Sequence, residues 1–155
     1  MRASRLLLLL PLAAAALASG CVQLSFGRKV GEDELILRDQ IRSYYDEVGA
    51  AFAAGNPEML ANLYDAGIAR PMTQQEIREW AKAFFDKHGP ARFKLLSIDY
   101  DRVGHVSAQV TISYRVDTRD GQGSFQGTER DDLVSRTGPS WYVTGWTKLD
   151  PAKGG

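Results

Sequence analysis

Two carboxylates, Glu129 and Asp131, stand two residues apart in a stretch that reads as a strand, residues 123–135, GSFQGTERDDLVS. Side chains alternate between faces along a strand, so Phe125, Gly127, Glu129, Asp131 and Leu133 share one face. Phe125 and Leu133 are apolar and mark that face as the inner one. A tight turn at Asp120-Gly121 pairs Val116 with Phe125, Ile112 with Glu129 and Val110 with Asp131. Two acids on an apolar surface lose water and repel each other, which raises at least one pKa. A carboxyl group tuned in this way is what general acid or base chemistry needs, and Tyr114, on the same surface, is its natural hydrogen-bond donor. An alternative stays open. Val134 has the wrong parity, and a bulge or a one-residue slip would turn both acids to solvent and point Arg130 and Asp132 inward.

Other reactive groups carry less. His88 ends a helix, where a cation suits the dipole, and His105 opens a strand beside Gly104. Their spacing forms no metal signature. Asp99 and Asp101 oppose the face of Leu96, Ile98 and Tyr100, which puts them in solvent. No nucleophile elbow, paired-cysteine, zinc-helix or phosphate-loop motif occurs, so neither a cofactor nor a metal is implied. With 19 basic and 19 acidic residues the chain has no basic excess to hold nucleic acid.

The single cysteine, Cys21, sits in a telling place. Arg2 and Arg5 precede an apolar run over residues 6–20, LLLLLPLAAAALASG, of about 15 residues. That is shorter than the roughly 20 needed to span a bilayer and fits a cleaved secretion signal. The end of the run, Leu17-Ala18-Ser19-Gly20-Cys21, resembles the lipobox of bacterial lipoproteins, with Ala18 where Leu is commoner. The resemblance implies cleavage before Cys21 and lipidation of its thiol, which also disposes of an unpaired thiol in an oxidising compartment. Several acyl chains then hold the protein on the membrane. Val22 is not the Asp of an inner-membrane retention signal, which favours the outer membrane, facing the periplasm. Residues 21–31 are the lipidated cysteine and a short tether.

Residues 32–150 supply one domain, followed by a tail over 151–155. From 32 to 54, Leu37, Ile41, Tyr44 or Tyr45, Val48 and Phe52 recur at helical spacing. Gly55 is a left-handed cap, and Asn56-Pro57 starts a short helix with Met59, Leu60, Leu63 and Tyr64 inward. The connection over 65–72 holds at most a short strand around Ile68. Thr73 and Glu76 form a capping box for a third helix carrying Ile77, Trp80, Ala81, Phe84 and Phe85, which stops at His88-Gly89-Pro90. Strands follow over 92–101, 105–117, 123–135 and 141–149. In the second, Val106, Ala108, Val110, Ile112, Tyr114 and Val116 point one way. The class is α+β: three N-terminal helices packed on a curved antiparallel sheet of at least three strands.

The phrases AFAAGNPEMLANLYD (51–65), TQQEIREWAKAFF (73–85) and WYVTGWTKL (141–149), in this order, resemble the nuclear transport factor 2-like superfamily. The resemblance covers about residues 34–149 and implies a cone with the sheet curved round a pocket. The stretch between Tyr64 and Thr73 is shorter than in that superfamily, which implies a vestigial first strand. Its members include isomerase-, cyclase- and dehydratase-like enzymes as well as binding and dimerising modules, so function has to come from the site. The candidate pocket is Glu129, Asp131 and Tyr114 with the aromatics Trp80, Trp146, Tyr45 and Phe84. Three readings follow: a non-catalytic envelope lipoprotein binding an apolar small molecule or a protein partner, an isomerase- or cyclase-like enzyme using Glu129 or Asp131 as base, and a structural homodimer formed through Ser107, Gln109, Thr111 and Ser113.

Overall fold

The computed structural model describes residues 30–150. The signal, Cys21, most of the tether and the 151–155 tail lie outside these residues. Three helices, α1 (Glu32–Ala54), α2 (Pro57–Ala61) and α3 (Gln74–His88), precede four strands, β1 (Ala91–Val103), β2 (Ser107–Thr118), β3 (Phe125–Ser135) and β4 (Trp141–Lys148). The strands form one antiparallel sheet in the order β1-β2-β3-β4.

Local chemistry sets the helix ends. Gly55 terminates α1 at φ 60°, a conformation that a side chain disfavours. Asn56 caps α2 by accepting from the Met59 N–H at 3.0 Å. Thr73 and Glu76 form a reciprocal capping box at the start of α3. α1 buries Ile41, Tyr44, Tyr45, Val48, Ala51 and Phe52 against the concave side of the sheet. Tyr100 ties β1 to α1 by donating to the Arg38 carbonyl at 3.0 Å. The core continues through Val110, Ile112, Val116, Leu133 and Val143, all at most 2% exposed. Each such side chain contributes roughly 1.5–3 kcal/mol of burial.

Several local expectations need correction. β1 bulges between Leu95 and Ser97, so Phe93 and Leu95 face inward and Leu96 is 58% exposed rather than sharing a face with Ile98 and Tyr100. Val106 precedes β2 and is exposed, as is much of Met59. The Asp120-Gly121 hairpin is a six-residue loop, residues 119–124, rather than a two-residue turn. Asp120 accepts there from the Thr118 hydroxyl and the Gln122 N–H. No strand forms around Ile68, which is buried in a turn. The vestigial strand is a single parallel bridge between Tyr64 and Val143.

Candidate functional site

β2 and β3 pair in the register that turns the acids inward: Val116 with Phe125, Ile112 with Glu129 and Val110 with Asp131. Arg130 and Asp132 face solvent. The pairing survives the longer loop because the partner positions stay symmetric about Asp120-Gly121. Across β3, a bulge in β4 between Val143 and Gly145 brings Trp146 opposite Asp131 and Lys148 opposite Glu129.

A cavity of about 290 Å³ lies between this surface and the helices. Glu129 and Asp131 line it together with Tyr114, Tyr45, Trp146 and Trp80. Phe84 does not line it. Its ring stacks behind Trp80 at 5.4 Å and meets Phe125 edge-on at 6.0 Å, so it supports the wall. Trp80 is 40% exposed and therefore rims the cavity instead of filling the core. Tyr44, Tyr64, Phe93, Met72, Pro71 and Lys148 also contribute, and the sequence did not single them out as pocket residues. Their signals were faint: Tyr44 and Tyr64 have inward helical phase, while Lys148 can be found only from the β3-β4 register.

The two acids differ in their partners. Tyr45 donates to Asp131 Oδ2 at 2.6 Å, while Asp131 Oδ1 is buried without a hydrogen-bond partner among the described residues. Tyr114 reaches Glu129 Oε2 at 3.4 Å, a long bond. The Tyr114 ring crosses β3 over Gly127, where a β-carbon would sit 3.0 Å from the phenol oxygen, so the glycine makes room for it. Burial pushes the Glu129 carboxyl up to about 7, against the lowering effects of the Tyr114 hydroxyl and Lys148. Burial also pushes Asp131 well above the usual carboxylate range, and the nearby Glu129 charge adds to it. The phenols of Tyr44, Tyr45 and Tyr64 are raised by burial and stay protonated.

The histidines lie elsewhere. His88 meets Asp120 at 3.0 Å, joining α3 to the β2-β3 loop, and His105 is exposed. Among the described residues no three His, Cys, Asp or Glu side chains gather to hold a metal. Asp99 and Asp101 are exposed.

No protein-family model matches the chain, and no curated protein matches its sequence. Solved structures do. A protein of unknown function from Mycobacterium tuberculosis superposes with a TM-score of 0.63 at 15% identity, over 74% of this chain and 76% of that one. A protein provisionally described as a scytalone dehydratase, from Novosphingobium aromaticivorans, gives 0.62 at 14% identity, over 75% and 86%. The protein Aln2 from a Streptomyces species gives 0.61 at 15% identity, over 77% and 93%. The fold is thus the nuclear transport factor 2-like α+β cone, and one further neighbour, from Nostoc punctiforme, is described as having a cystatin-like fold. At such identities the likeness extends to the fold alone.

Proposed function

We propose that this chain is a lipid-anchored lipoprotein of the cell envelope, on the outer membrane facing the periplasm, whose cone binds an apolar small molecule and releases it unchanged. The observation that carries the binding reading is the aromatic cavity lined by a buried acid, one of whose oxygens has no hydrogen-bond partner among the described residues. Pockets of this kind, mostly apolar with a few convergent polar groups, are the usual form of small-molecule sites. The anchor rests on the lone Cys21 after a basic and apolar leader. Metabolic labelling with palmitate should tag the wild-type chain and leave the Cys21→Ser variant untagged. A free thiol on the mature native protein, seen by mass spectrometry, would remove the anchor from the proposal.

A second reading is favoured by one observation. Glu129 titrates near 7 within reach of a tyrosine hydroxyl, a setting suited to moving a proton between a substrate carbon and the carboxylate. Under that reading a bound ligand emerges isomerised or dehydrated, and Glu129→Gln abolishes the change. Mass spectrometry of recovered ligand separates the two readings.

A further inference from the structure

The cavity is chemically one-sided. Glu129 and Asp131 both open into it, and its walls are largely aromatic rings, among them Tyr44, Tyr45, Tyr64 and Trp146. Asp131 is 3% exposed; one carboxylate oxygen accepts a hydrogen bond from the Tyr45 hydroxyl, and the other, equally buried, has no partner among the described residues. Buried polar atoms are as a rule hydrogen-bonded, so an orphaned oxygen on an acid that lines a cavity marks a place for a donor. A buried acid also calls for positive charge. No cation among the described residues acts on Asp131, and Lys148, which acts on Glu129, is itself exposed at the end of β4.

We propose that the cavity receives a protonated primary or secondary amine on a compact apolar body, its ammonium donating to Asp131 Oδ1 and facing Glu129. This rests on the reading of the cavity as a ligand site and names the ligand's class. An N–H donor satisfies the orphaned oxygen, its charge offsets the two acids, and ring faces attract cations. An alcohol would donate but leave the charge uncompensated, and a carboxylate would add a third negative group. The volume of about 290 Å³, at about 30 Å³ for each water-sized group, admits a ligand of roughly ten non-hydrogen atoms.

The site predicts its own pH dependence. The titratable groups that act on the acids or on their phenol neighbours are Tyr44, Tyr45 and Glu47 from α1, Tyr64 from the α2-α3 connection, Tyr114 from β2, Asp132 on the opposite face of β3, and Lys148 from β4. The four phenols are pushed upward and remain neutral near pH 7. The ammonium favours ionised acids, so amine binding expels a proton and strengthens as pH rises toward 8, while an alkylamine keeps its own proton up to about pH 10.

The test is calorimetry on the full-length chain in lipid nanodiscs, with empty nanodiscs as blank and three probes of one shape: 3-phenylpropylamine, 3-phenylpropan-1-ol and 3-phenylpropanoate. At pH 8 the amine should bind at least about tenfold more tightly than the alcohol, and the acid more weakly than both. At pH 5.5 the amine should lose about tenfold and the alcohol little. Asp131→Asn, and separately Glu129→Gln should the first misfold, should shrink the amine's advantage to about twofold or less. An alcohol that binds as tightly as the amine at both pH values, or variants that keep the amine's advantage, would overturn the amine assignment and leave the cavity a ligand site. Binding by none of the three would overturn the assignment and the ligand-site reading together.

Discussion

Asp65 and Asp131 are two buried aspartates in one small domain, 5% and 3% exposed, with opposite electrostatic outcomes. Asp65, just after α2, is supplied on both oxygens. The Gly67 N–H donates to Oδ1 at 2.8 Å, and the Arg136 guanidinium donates to Oδ2. Its carboxyl is held below the usual range, first by the Arg136 hydrogen bond. Asp131 has one neutral donor, one orphaned oxygen and an acidic neighbour, and its carboxyl is pushed up. Burial alone therefore does not decide whether an acid is structural or functional; its partners do. Asp65 ties the α2-α3 connection to the turn after β3 and is used up by the fold. Asp131 lines the cavity and keeps one acceptor oxygen without a partner among the described residues, which makes it the candidate site acid.

The contrast has a pH signature. The native pKa of Asp65 lies below its unfolded value, so its contribution is complete above about pH 4 and is lost as pH falls through the native value. Glu129 goes the other way, from the usual 4.5 to about 7. The folded state then binds the extra proton, so this group favours folding most below pH 4.5, and the benefit is lost as pH rises to about 7.

The largest effect should come from Asp65→Ala, which removes two hydrogen bonds, one of them to a charged partner. Urea unfolding at pH 7 should show a loss of roughly 2–3 kcal/mol. An unchanged midpoint would break the comparison, since Asp65 would then be no better supported than Asp131. Tyr45→Phe should cost somewhat less, about 1–2 kcal/mol, by leaving Asp131 Oδ2 as bare as Oδ1. It should also raise the aspartate's titration further, which carboxyl-carbon NMR can follow; a downward move would mean that water replaces the phenol. Glu129→Gln should have the smallest effect and the opposite sign. At pH 8 the variant should be more stable by about 1 kcal/mol, with a flatter stability profile between pH 4.5 and 7. A profile as steep as that of the wild type would place the pH response outside the cavity.

The inward register of the acids was legible because parity and loop position agree. Phe125 and Leu133 fix the face of β3, and a loop centred on Asp120-Gly121 keeps the partner sums whatever its length. Its actual length was not legible, because it depends on Thr118, Asp120 and Ser124 hydroxyl and carboxylate bonds made within the folded loop. Leu96 was misread for a similar reason: a bulge in β1 reverses parity at one residue without any local sequence mark. Trp80 has core phase on α3, yet its ring, edge-on to Phe125, stays 40% exposed at the cavity rim.

By itself, the sequence determined the capped helices, the meander and the shared face of Glu129 and Asp131. Those follow from hydrogen bonds and side-chain periodicity within a few residues of one another. Tertiary structure alone decided that Tyr45, 86 positions away from Asp131, would satisfy one of its oxygens and leave the other empty. It also decided that the aromatic walls would meet around a cavity instead of closing on themselves. Those outcomes depend on where a helix comes to rest across a curved sheet, a balance of packing over the whole domain that no short stretch of sequence contains.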